Sequence, residues 1–111
     1  MIEKTVLEYL QSHTGIPCHL EVPSNPPERF LVVEKTGSSV TDLIKTATIA
    51  VQSYGETLTE TIAINERVKE EMSGLADLDE IGGCNLNSDY NFTDTTTKKY
   101  RYQAVFDITH Y

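Results

Sequence analysis

Three histidines, two cysteines and seventeen carboxylates are the side chains of this 111-residue sequence that could hold a metal, attack an electrophile or move a proton. His13 and His19 straddle a Gly/Pro break and His110 is next to last, whereas a zinc site needs three or four convergent ligands. His110 continues the apolar positions of the closing segment and reads as a half-buried packing residue. Cys18 and Cys84 stand far apart with no CxxC pair. That favours two buried thiols in a reducing compartment over a metal knuckle or redox dithiol, and leaves a disulfide between them open. Cys18 and His19 are neighbours on a short strand, where successive side chains point to opposite faces, so they do not readily share a proton. Eight of the seventeen acids fall on one polar helix face and its exit loop, 56–80, and no evident acid–base pair forms. Gly37 leads into a strand, not a helix, which excludes a phosphate loop or dinucleotide turn. From these patterns we expect no metal, no cofactor and no catalysis.

One cluster combines cations with aromatic rings: Lys98, Lys99, Tyr100, Arg101 and Tyr102. Such a cluster can stack on nucleic-acid bases, but three cations at a hairpin tip also serve simply as solubilising charge. Tyr and Arg are enriched where proteins meet proteins. Tyr100, Arg101 and Tyr102, with Asp94 and Lys98 at the adjoining tip, are therefore the candidate contacts. Tyr9 and Tyr54 read as easily as core residues with bonded hydroxyls.

These groups need a scaffold, and the chain is long enough for one domain, 1–111. Hydrophobic residues at 39% and charged residues at 23% are ordinary for a folded protein. A net charge of −8 argues against a grip on nucleic acid through phosphates and against docking on anionic lipid. Glu3, Lys4 and Glu8 interrupt any apolar run at the start, so neither a secretory signal nor a membrane span is expected.

The spacing of Ile2, Val6 and Leu10 predicts a helix over 2–13, stopped by Gly15 and Pro17. Cys18, Leu20 and Val22 alternate as a short strand before a loop of three prolines, 23–27. RFLVVEK (29–35) reads as a strand, Thr36–Ser39 as its turn, and 43–54 as the next strand. From Glu56 the period becomes helical, with Leu58, Ile62, Ile64, Val68, Met72 and Leu75 on one arc. Segment 56–80 holds eight acids against two bases, the charge of a solvated helix face and its exit loop. Residues 81–92 form an irregular strand, bulged at Gly82-Gly83; 94–99 form a polar tip; and 100–110 form the best strand. The order α, β, β, β, α, β, β, with short linkages, implies an α+β fold: a mostly antiparallel sheet of four to five strands with two helices on one face.

Three segments together, RFLVVEKTG with TATIAVQSYG, the helix after them, and the closing LNSDYNFTDTTTKKYRYQAVFDITHY, resemble the tail-terminator (tail completion) proteins of long-tailed bacteriophages and prophages. The likeness runs over nearly the whole chain, and rings of the head–tail connector are similar in size. The resemblance implies a non-enzymatic virion protein, made in the bacterial host cytoplasm, that forms a homo-hexameric ring on the tail tube. Its partners would be further copies of itself, the tail tube protein and the head-completion or connector protein. DNA would pass without specific binding, and no membrane would be involved. An acidic lumen would not hold sliding DNA, which places Glu70 and Glu71 on the lumen wall. A small α+β binding module is the other reading.

Overall fold

The computed structural model describes residues 1–111. The first helix, α1 (Ile2–Thr14), buries Ile2, Val6 and Leu10 along one stripe. It stops at Gly15, whose left-handed φ of 71° lets its N–H return to the Gln11 carbonyl. Strand β1 is only Cys18–His19 and pairs in parallel with β2 (Phe30–Thr41), Cys18 facing Leu31 and His19 facing Val32. The strand expected through Val22 therefore ends early, with Leu20 and Val22 exposed. Pro23, Pro26 and Pro27 have no N–H to offer a ladder, so the chain leaves the sheet as a loop. Loop 20–29 is also long enough to return the chain beside β1, which the expectation of short hairpin linkages did not allow for.

Strand β2 runs straight through Thr36–Ser39, where a turn was expected. Pairing with β3 (Ile44–Gly55) overrides local turn propensity: Gly37, Ser38 and Ser39 face Thr48, Ala47 and Thr46. Thr36 is absorbed as a bulge between Lys35 and Gly37. The turn itself is Asp42-Leu43, with φ of 51° and 68°. Two positive φ values are the signature of the I′ hairpin turn, whose twist matches the flanking strands.

Helix α2 (Leu58–Met72) begins where Thr57 Oγ1 accepts from the Glu60 N–H and Glu60 Oε1 accepts from the Glu56 N–H. A Cβ on Gly55 would lie 2.7 Å from Thr61 Oγ1, so only glycine allows β3 and α2 to meet this closely. The buried arc is Thr61, Ile64, Asn65, Val68 and Met72. Leu58 and Ile62, expected inside, are each 38% exposed. Thr61 and Asn65 can replace them because both are hydrogen-bonded, Thr61 to the Thr57 carbonyl and Asn65 to Asp89. Leu75 is buried from a short 3-10 turn beyond the helix, 75–77.

Strands β4 (Ile81–Asn91) and β5 (Tyr100–His110) close the sheet in the order β1-β2-β3-β5-β4. Strand β4 is bulged at Gly82, as its glycines suggested, and again near Asn87. Strand β5 lies between β3 and β4 and is antiparallel to both. The result is an α+β fold: a mostly antiparallel five-stranded sheet with both helices on one face. Val6 and Leu10 from α1, Ile49 and Ile108 from the sheet, and Val68 and Met72 from α2 are fully buried in one core. The molecule measures 44 × 25 × 24 Å. No helix is long and apolar enough to cross a membrane.

Candidate subunit interface

Where β2 begins and β3 ends, a cleft of about 410 Å³ opens between loop 20–29, the β3–α2 junction and the β4–β5 tip. Its floor comes from alternation along β2 and β3, which turns Phe30 and Tyr54 to the face without helices. Their rings stack at 4.3 Å between centroids, 7° from parallel, and both side chains are buried. Arg101 stands opposite Tyr54 in register. It donates from Nη1 to Tyr54 Oη at 3.2 Å and from Nε to the Phe92 carbonyl at 3.1 Å. Its guanidinium lies 4.1 Å from the Phe92 ring centre, a cation–π distance. Tyr54 Oη donates in turn to Gln52 Oε1 at 3.2 Å. Arg101 is thus fixed in place by contacts within the fold.

The cleft walls carry opposite charge. Lys98 and Lys99 line one side, and neither belongs to any of the four ion pairs of the fold. Glu28 and Glu56 line the other. The neighbouring Glu28 charge, helped by partial desolvation and a shared hydrogen bond, raises the Glu56 carboxyl above its ordinary range. An aromatic floor between an unpaired cationic wall and a crowded carboxylate wall suits a partner with an apolar tip and both signs of charge.

Of the contacts anticipated from the sequence, Asp94, Lys98, Tyr100 and Arg101 all line this cleft. Tyr102 does not: it stands opposite Ser53 and Asn91 in register, on the helix-bearing side of the sheet. The closing strand is not a free edge, because its backbone pairs with β3 from Tyr100 to His110 and with β4 from Tyr102 to His110. Asp94 has a local task. Its Oδ1 accepts the backbone N–H of Thr96 at 2.9 Å and of Thr97 at 3.4 Å, which holds the carboxyl below its usual range and shapes the tip. Lys98 sits in left-handed backbone, φ 55°, at the end of that turn.

Glu70 and Glu71 do not share a face, since successive helix residues are about 100° apart. Glu70 is exposed, whereas Glu71 turns toward α1, pairs with Arg67 at 3.0 Å and accepts the Tyr9 hydroxyl on its carbonyl at 2.9 Å. The three histidines lie in separate places. His13 stacks on Tyr9, His19 meets the edge of Phe30, and His110 is half-buried, its pKa lowered first by burial and then by Lys45. Cys18 and Cys84 are free thiols, pushed up to about 12 and about 11 by burial, so both stay protonated at neutral pH.

Sequence reasoning missed Phe30, Tyr54, Glu28 and Glu56 as members of one site. Nothing in their spacing joins residues 28–30 to 54–56; only the β2–β3 register, Phe30 opposite Tyr54, does so. It also missed the tip at the other end of the molecule, where Leu43 is 91% exposed and Val40 66% exposed. The dipeptide Asp42-Leu43 lacks the Gly or Asn that marks a two-residue turn. No family model and no curated protein sequence matches this chain.

Proposed function

We propose that this chain is a structural ring subunit that ends the tail tube of a long-tailed phage or prophage and joins it to the head. The observation that supports a self-associating building block is the unlikeness of the molecule's two ends. One end carries an exposed apolar turn, Val40, Leu43 and Ile44; the other carries the mixed-charge cleft floored by Phe30 and Tyr54. Unlike surfaces at opposite ends associate head to tail, and such contacts close into a ring when the rotation per step divides the circle. The tail role itself comes from the resemblance of the closing strands and the β2–β3 hairpin to tail terminators. In this reading the protein acts by shape, its partners are its own copies, the tail tube protein and the head-completion protein, and its place is the virion tail. Removing the gene from a phage genome that carries it should give headless tails with overlong tubes, and restoring it should fix their length. Negative-stain images of the assembled protein should show six-fold rings. Tails of normal length without it overturn the terminator reading. If those normal-length tails also fail to join heads, the chain is a head–tail connector ring instead.

A further inference from the structure

We propose that the Asp42-Leu43 turn of one copy inserts into the cleft of a second copy. Leu43 then seats on the Phe30–Tyr54 floor, Asp42 meets Lys98 and Lys99, and Lys45 meets Glu28 and Glu56. This names the contact for the self-association described above and rests on that reading.

The turn breaks two local rules at once. Both residues have positive φ, 51° and 68°, a region that favours glycine and asparagine and strains a leucine. The Leu43 side chain is 91% exposed, so no contact inside the fold offsets that strain. A position that sacrifices local fitness without structural gain marks a functional one.

The cleft supplies what the turn lacks. It offers about 410 Å³ beside Val22, which is 46% exposed, over the stacked Phe30 and Tyr54 rings. The order of charge along the turn, acid, apolar, apolar, base (Asp42 to Lys45), matches a cationic wall, an aromatic floor and a carboxylate wall. The two features cannot meet within one copy. Strand β3 joins them, and its twelve residues hold them roughly 40 Å apart. The occupant is therefore a second copy, and the contact is heterologous. Six copies close if each step turns about 60°.

Sedimentation velocity on the full chain tests this with three variants. Leu43→Gly places the residue suited to positive φ in the turn, so its Tm should not fall, while its association constant should drop at least about tenfold. Lys98→Glu/Lys99→Glu and Asp42→Lys should each associate weakly alone, and an equimolar mixture of the two should recover association between unlike copies. Leu43→Gly associating like the parent, a mixture that recovers nothing, or a parent chain monomeric to roughly 1 mM overturns the contact. Tube length separates this proposal from the tail reading. If Leu43→Gly stays associated and still arrests tubes, the turn contact fails and the tail role stands. If Leu43→Gly dissociates while the parent never affects tube length, the contact stands and the tail role fails.

Discussion

The two faces of the one sheet are held by different means. The helix-bearing face is apolar and sealed: Ala47, Ile49, Val51, Ala104 and Ile108 are completely buried beneath α1 and α2. The other face carries no helix and is tied by side-chain hydrogen bonds that cross four strands. Gln52 donates to Glu34 at 3.5 Å and to Gln103 at 3.0 Å, and Gln103 donates to the Tyr90 hydroxyl. Lower down, Asp107 accepts from Thr48 at 3.3 Å and from Asn87 at 3.0 Å. Burial of apolar area stabilises more and is indifferent to direction, so the helical face supplies most of the stability. Hydrogen bonds exchanged with water contribute less but fix geometry. The open face is therefore where a shape can be kept rigid while it stays accessible.

Four measurements sharpen or break that contrast. Ile49→Ala empties a fully buried site under both helices and should cost about 3 kcal/mol in urea unfolding; a loss below about 1 kcal/mol would mean that the sealed face is not the source of stability. Asp89→Ala should cost about 2 kcal/mol, because it leaves the buried Asn65 amide without its acceptor and Lys69 with Glu66 alone. Gln103→Ala breaks the ladder at its centre and should cost about 1 kcal/mol. Adding Gln52→Ala to it should then cost less than the two single losses together, as expected for a shared network.

The smallest effect is that of pH. The hydrogen bond from Lys69 holds the Asp89 carboxyl below its ordinary range. Its contribution is complete above the unfolded value near 4 and fades as pH falls through the lower folded value. Burial lowers His110, so the unfolded chain takes up that proton first, and stability should already slip as pH drops below roughly 6.5. An Asp89→Asn variant should flatten the acid limb of the Tm profile, leaving the part that Asp94 contributes, and keep the histidine limb.

The elements were legible where one residue type repeats at one period. Ile2, Val6 and Leu10 announced α1, and the even residues from Ala104 to Ile108 announced β5 and its inward face. The polar tip at 94–99 and the bulge at the glycines were legible for the same local reason. Partner choice was not. Thr36–Ser39 has the composition of a turn, and only its alignment with Thr46–Thr48 makes it strand. Thr61 and Asn65 look like surface residues until Thr57 and Asp89 are placed beside them. Four of the five contacts anticipated from the basic-aromatic cluster share the cleft because they are close in sequence. Its floor and carboxylate wall come from segments that only the sheet brings together.

The last strand in sequence fills the slot between β3 and β4. During synthesis, everything up to residue 91 emerges while the middle of the sheet is still missing, and Arg101, which clamps Tyr54 to Phe92, arrives later still. A nascent copy therefore has a finished turn at 42–43 and no finished cleft to receive one. If the turn docks in a second copy's cleft as proposed, assembly waits until translation has run past the centre of the fold, and copies on neighbouring ribosomes do not chain together prematurely.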